Sequence, residues 1–173
     1  MVDLKKFCGT DTWRTYLHEP FSSGEYTYAT DGHIIVRVPR VAAIGEVPRT
    51  PNPEKIFAPM PADGWRTLRV ALPPVAPPKE CGSCYDGFEH DCPDCTFECY
   101  ECKGTGFVVA KVSNEIGGVI FDLKYIRMIA ELPGVEIVIT DGKSPAFFRF
   151  EGGDGVLMPM SSEFENHVKV DVE

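Results

Sequence analysis

Three Cys-x-x-Cys pairs stand within 22 residues of this 173-residue chain. A Cys-x-x-Cys turn presents two thiolates to one tetrahedral ion, and two such turns complete a structural zinc site. Six of the seven cysteines belong to these pairs, and only Cys8 stands apart. The pattern therefore predicts bound zinc and supplies six candidate ligands: Cys81, Cys84, Cys92, Cys95, Cys99 and Cys102.

The spacing of the three pairs suggests how they share metal. The outer pairs suit one four-thiolate site, because the 14 residues between Cys84 and Cys99 are enough for a ribbon. The middle pair, Cys92 and Cys95, then needs another role. It completes a second site with His90 and an acid or water, bridges two ions, or displaces one outer pair. Since each tetrahedral ion needs four ligands, the sequence leaves one zinc ion or two open.

Disulfides are the alternative use of clustered cysteines, and they require an oxidising compartment. Residues 1–8 have neither the long apolar core nor the small-residue cleavage site of a secretory signal. The chain also lacks a run of 18 apolar residues that would cross a membrane as a helix. We therefore expect a cytoplasmic protein whose cysteines are reduced and bound to metal.

Acidic residues are concentrated around the cysteines. The net charge of the chain is −9 at pH 7, and residues 79–106 contain seven acidic residues against two lysines. Zinc modules that grip DNA or RNA carry Arg and Lys to neutralise phosphates, so this segment would repel a phosphate. It is predicted to be structural or to bind protein; its acids are Glu80, Asp86, Glu89, Asp91, Asp94, Glu98 and Glu101.

The rest of the sequence predicts an α+β fold of antiparallel strands with one or two helices. A hairpin is expected around Asp31-Gly32, and Asp122 is expected to begin a helix. The cysteine module, 75–106, interrupts a body formed by 1–74 and 107–173. Expected helical segments are 3–18 (begun by Asp11 or Thr12), 54–57 and 123–132; expected strands are 25–29, 34–38, 65–72, 107–112, 116–121, 135–140, 146–151 and 156–160, with the last dozen residues frayed.

Two short strings resemble a known family. The residues from Ala29 to His33 (A-T-D-G-H) resemble the A-T-D-G-H-R-L hairpin of bacterial DNA polymerase III beta sliding clamps. Those from Val156 to Met160 (V-L-M-P-M) resemble the V-M-P-M strand that closes those clamps. Between them, 119–155 follows the clamp half-domain order of strand, helix and three strands. The resemblance implies a single DNA-clamp-like domain that carries a zinc-binding insertion.

The resemblance also implies binding sites. In clamps the two strings help to form a groove that takes short peptides of replication proteins, which implies peptide-binding residues here. The two walls come from adjacent domains in clamps, so we expect them to meet between protomers of a head-to-tail homo-oligomer. The clamp helices face DNA, and duplex DNA should bind only weakly unless the protein is oligomeric. The implied residues are Thr30, Gly32, His33, Ile35, Val156 and Met158 for peptide, and Lys124 and Arg127 for DNA.

These features favour a non-enzymatic sliding-clamp-like protein with structural zinc, acting in or modulating DNA replication, encoded by a phage or mobile element. The alternative is a zinc-knuckle adaptor that binds protein and uses the clamp-like fold as a scaffold. Its cysteine module resembles the C-x-x-C-x-G-x-G repeat of J-type chaperone zinc fingers at 99–106. An enzyme is not expected, because no phosphate loop, H-E-x-x-H helix or G-x-S-x-G elbow occurs and four-thiolate zinc has no open position.

Overall fold

The computed structural model describes most of the chain, and every structural statement below concerns that part. The described residues are 2–10, 14–47, 53–69, 72–75, 77–92, 95–109, 112–141, 144–161 and 166–169.

The chain order of elements has three parts. The first part holds two 3₁₀ turns, four strands and a short helix: Leu4–Phe7, Thr15–Leu17, β1 (Phe21–Ser23), β2 (Tyr26–Thr30), β3 (Ile34–Pro39), α1 (Glu54–Phe57) and β4 (Arg66–Thr67). The cysteine-rich insert holds β5 (Lys79–Glu80), β6 (Phe88–Cys92), β7 (Cys95–Glu98) and β8 (Phe107–Val108). The last part holds β9 (Val112–Ile116), β10 (Val119–Asp122), α2 (Leu123–Ala130), β11 (Glu136–Val138), β12 (Ala146–Phe150), β13 (Gly153–Leu157) and β14 (Asn166–Lys169).

The main sheet is antiparallel and has the strand order β1-β2-β3-β13-β12-β11-β4. It consists of two three-stranded meanders, each preceded by a helical segment and joined through their last strands. At this junction Ile35 lies opposite Val156 and Ile34 lies opposite Leu157. The antiparallel pairing places the two meanders in a two-fold-like relation, with β3 and β13 at the centre.

Both faces of the main sheet are covered. Ile34 and Val36 point into the larger core, which includes α2, whereas Ile35 points into a smaller core on the opposite face. This explains why 34–36 is an uninterrupted apolar run, since a strand buried on both faces does not alternate. Helix α2 begins at Asp122, whose carboxylate accepts from the Lys124 N–H at 2.9 Å, and it buries Ile126 and Ile129.

A second sheet has the order β10-β9-β14, in which β14 runs parallel to β9. The expected single strand at 116–121 is wrong, because Gly117 and Gly118 both adopt positive φ and turn the chain into the β9–β10 hairpin. The expectation that the last dozen residues fray is also wrong, since Asn166–Lys169 pairs with β9.

Other predicted bounds shift by a few residues. The strand predicted at 65–72 is only the two-residue β4, and the segment predicted at 156–160 leaves the ladder after Leu157. The helical pattern over 3–18 forms two 3₁₀ turns, and Asp3 caps the first by accepting from the Lys5 N–H at 3.1 Å. The caps predicted there, Asp11 and Thr12, lie outside the described residues. The α+β class with antiparallel sheets and two α-helices is confirmed.

Candidate metal centre and apolar groove

Four cysteines from the outer pairs converge at one point of the insert. The Sγ atoms of Cys81, Cys84, Cys99 and Cys102 all lie within 4.8 Å of one another. The Cys81–Cys99 separation is 3.9 Å and the Cys84–Cys102 separation is 3.5 Å. A tetrahedral zinc–thiolate site with bonds of about 2.3 Å requires sulfurs about 3.8 Å apart. The four residues could therefore hold a metal ion, with a geometry compatible with zinc.

The backbone holds the two cysteine loops together reciprocally. The Cys81 N–H donates to the Gly106 carbonyl at 2.8 Å, and the Cys99 N–H donates to the Gly87 carbonyl at 2.7 Å. Gly87 lies so close to the opposite loop that a Cβ there would stand 2.2 Å from the Gly104 carbonyl oxygen. The glycines that follow each pair are thus required for the loops to approach, which explains the glycine-rich pattern at 104–106.

The thiols of this cluster differ in acidity. Burial raises the pKa of the Cys84 thiol to about 12, and the hydrogen bonds it donates to neighbouring sulfurs act in the same direction. Burial also acts to raise the pKa of Cys102, but hydrogen bonds from Cys84 and from the Gly106 N–H outweigh it and lower that pKa to about 7. The cluster thus favours negative charge at one sulfur, as a cation site requires.

The remaining predicted ligands are not placed. The backbones of Cys92 and Cys95 pair with each other at the end of the β6–β7 hairpin. Their side chains, and that of His90, lie outside the described part of the structure. The described cysteines, including Cys8, form no disulfides.

All six residues predicted to bind peptide line one cavity of about 220 Å³. Its floor is the β3–β13 junction, where Ile35 and Val156 are buried, and Met158 forms part of its exposed rim. The Met158 N–H donates to the His33 carbonyl at 2.8 Å, so the two resembling strings are hydrogen-bonded to each other. The lining consists of the predicted Thr30, Gly32, His33, Ile35, Val156 and Met158 together with Arg14, Tyr16, Leu17, Phe21, Ile34, Pro53 and Ile56.

The expectation that these walls meet only between protomers is wrong. They meet within one chain because β13 pairs directly with β3, across more than 110 residues of sequence. Sequence reasoning also missed the contributions of Tyr16 and Ile56. Both lie in segments with a helical pattern, but nothing local in the sequence indicates which strand those segments pack against.

A polar cluster attaches the groove hairpin to α2. The Asp31 carboxylate accepts from the N–H groups of His33 and Ile34, at 2.9 and 3.2 Å, and from the Tyr125 hydroxyl at 2.6 Å. Burial, followed by this hydrogen bond, raises the pKa of Tyr125. The His33 ring stacks on the Tyr125 ring with centroids 6.0 Å apart. The predicted turn residue Asp31 is therefore also a tether between the hairpin and the helix.

The two residues predicted to face DNA both make contacts within the chain. The Lys124 ammonium lies 3.8 Å from the Asp31 carboxylate and 4.6 Å from the centre of the Tyr125 ring. Arg127 is half-buried and donates to the carbonyl of Pro73, on the approach to the insert. The positive charge of Lys124 is therefore partly balanced by a neighbouring carboxylate.

A scan against protein-family models gave no match, and neither the curated proteins nor the solved structures contain one. Among the described residues, no helix combines the length and the apolar character needed to cross a membrane.

Proposed function

We propose that this protein is a non-enzymatic, sliding-clamp-like protein that binds short peptide segments of replication proteins and carries a structural zinc insert. The observation that carries the proposal is the convergence of six separately predicted residues on one apolar cavity. Two strings 110 or more residues apart were assigned to one groove on resemblance to clamps alone. Their contact within the fold supports that assignment, and the link to DNA replication rests on the same resemblance.

The groove suits an extended segment with one or two large apolar side chains. Its floor offers aliphatic carbons at Ile35 and Val156, and Met158 at the rim adapts to different side-chain shapes. The polar rim, with His33 and Arg14, orients the peptide backbone or an acidic neighbour. Because a short flexible peptide loses entropy when it is ordered, we expect a dissociation constant of roughly micromolar order.

Zinc is the metal we propose for the four-thiol centre. Four thiolates with tetrahedral spacing form a closed, structural site that leaves no position for a reacting water. The role of the ion is therefore to hold the insert together, in keeping with a non-enzymatic protein. A second ion held by Cys92, Cys95 and His90 stays a prediction.

Duplex DNA is proposed as a weak ligand only. The chain has a net charge of −9, and Lys124 already faces the Asp31 carboxylate. DNA retention should therefore depend on assembly into an oligomer and on low salt. Replacing Lys124 and Arg127 with Glu in an oligomeric sample should reduce retention; unchanged retention would count against the DNA part of the proposal.

Peptide binding is tested by titrating a fluorescein-labelled clamp-binding peptide into wild type, Met158→Asp and Val75→Asp. A buried carboxylate in the groove should weaken binding by at least about tenfold, since desolvating a charge costs well over 1.4 kcal/mol. Val75 is exposed and lies outside the groove, so its aspartate variant is the matched control and should bind as wild type does. Equal affinity of Met158→Asp and wild type, or no binding to wild type, would refute the peptide-groove proposal.

A further inference from the structure

Exposed apolar side chains of the described residues are confined to two places. Three of them, Tyr16, Ile56 and Met158, line the groove. The other seven fall in or beside the cysteine-rich insert: Val75, Tyr85, Phe88, Phe97, Tyr100, Phe107 and Val109. An apolar concentration of this kind, away from the groove, indicates a second contact surface. Its five aromatic residues are called the aromatic surface below.

Three of these aromatics are paired with glutamates across strands. In the β6–β7 ladder Phe88 lies opposite Glu98 and Phe97 lies opposite Glu89, and in the β5–β8 ladder Phe107 lies opposite Glu80. Directly opposite residues share a face of the sheet, with Cβ atoms about 4.5–5.5 Å apart. Each ladder position therefore presents a ring beside a glutamate position.

The two tyrosines of the aromatic surface have acidic neighbours along the chain. Tyr85 is 75% exposed and precedes Asp86, and Tyr100 is 92% exposed and precedes Glu101. Both tyrosines lie inside or directly after the two Cys-x-x-Cys loops of the metal centre. The association of ring and carboxylate thus holds for all five aromatics, whichever part of the insert they occupy.

The charge of the insert selects the partner. Seven acids and two lysines lie between 79 and 106, and a zinc ion with four thiolates would add two further negative charges. Nucleic acid, which also stacks on exposed aromatics, would be repelled by this charge. A guanidinium group matches both parts of the surface, because it stacks on an aromatic face and forms bidentate hydrogen bonds with a carboxylate.

We propose that the aromatic surface of the insert binds an arginine-rich segment of a partner protein, independently of the groove. Arginine side chains would stack on the exposed rings and pair with the glutamates and aspartates beside them. Arginine should be preferred over lysine, since a lysine ammonium provides the charge but not the planar stacking or the bidentate geometry.

The test measures anisotropy of a labelled 12-residue peptide of alternating arginine and serine, with lysine–serine and glutamate–serine peptides as comparisons. The metal-loaded wild-type protein should bind the arginine peptide most tightly, the lysine peptide at least about threefold more weakly, and the glutamate peptide not at all. The double variant Phe97→Ser/Tyr100→Ser should lose about tenfold in affinity, because two stacking contacts are removed.

A groove variant with the same number of apolar groups removed, Tyr16→Ser/Met158→Ser, is the matched control and should keep its affinity for the arginine peptide. Metal content is measured in each variant; if the insert variant loses metal, Glu80→Lys, on a separate ladder from the cysteine loops, serves in its place and should also weaken binding. Equal affinity for the arginine and lysine peptides, unchanged affinity in both insert variants, or tighter binding of a single-stranded oligonucleotide would overturn the proposal.

Discussion

At the scale of single residues, Asn114 is an unusual core side chain. It lies in the central strand of the smaller sheet, opposite Phe121, and has no solvent exposure. Neither atom of its amide group has a hydrogen-bond partner among the described residues. A buried, unpaired amide costs free energy because it leaves water without gaining a new hydrogen bond.

Replacing Asn114 with valine is therefore expected to stabilise the protein by about 1–2 kcal/mol, since the strand keeps its shape and the unpaired polar group is removed. The matched change Asn114→Asp should destabilise the protein by about 3 kcal/mol or more, because it places a charge at the same site. Urea unfolding monitored by circular dichroism measures both. A valine variant less stable than wild type would indicate that the amide has a partner outside the described residues.

Cys8 is expected to be an unreactive thiol. Burial raises its pKa from 9.0 to about 11, with Lys5 opposing the shift, and the thiol lies 3.7 Å from the Leu4 carbonyl oxygen. At pH 8 its thiolate fraction, and with it the alkylation rate, should be about 100-fold lower than for an ordinary cysteine. The rate should rise about tenfold per pH unit towards pH 11. Iodoacetamide labelling followed by peptide mass spectrometry checks this, with urea-unfolded protein as the reference for a normal rate.

At the scale of elements, the two cysteine loops depend on close backbone approach. Gly87 has φ +92°, and a Cβ there would overlap the Gly104 carbonyl oxygen. Gly87→Ala should therefore push the loops apart and lower zinc affinity by at least about tenfold, since the four sulfurs would no longer share one centre. Gly82→Ala is the matched control, because a Cβ there meets nothing within 4 Å. Competition with a chromophoric chelator measures both affinities; equal values for the two variants would contradict the prediction.

The same scale explains what sequence reasoning could and could not predict. Local signals predicted the hairpin at Asp31-Gly32, the Asp122 cap and the grouping of the outer cysteine pairs, because turns, caps and metal loops are determined by neighbouring residues. Pairings between distant strands were not predictable in this way. The parallel β9–β14 ladder joins segments about 50 residues apart, and the contribution of Ile56 to the groove depends on tertiary packing alone.

At the scale of the whole molecule, the metal centre and the groove rest on different sets of packed residues. The cysteine cluster includes Val108 of β8 but no residue of the two cores that cover the main sheet. The groove is built on the β3–β13 junction, inside those cores. The insert therefore depends on the metal for its folding energy, on the order of 10 kcal/mol, whereas the body depends on apolar burial.

Metal removal should consequently separate the two proposed binding activities. With a strong chelator present, hydrogen exchange should accelerate across 79–108 while the amides of β3 and β13 stay protected, because only the insert loses its source of stability. The labelled clamp-binding peptide should still bind with its original affinity, and the arginine–serine peptide should bind at least about tenfold more weakly. Returning zinc should restore the second activity. Loss of protection in β3 and β13 on chelation would instead mean that insert and body fold as one cooperative unit, and peptide binding in the groove would then fall together with arginine binding.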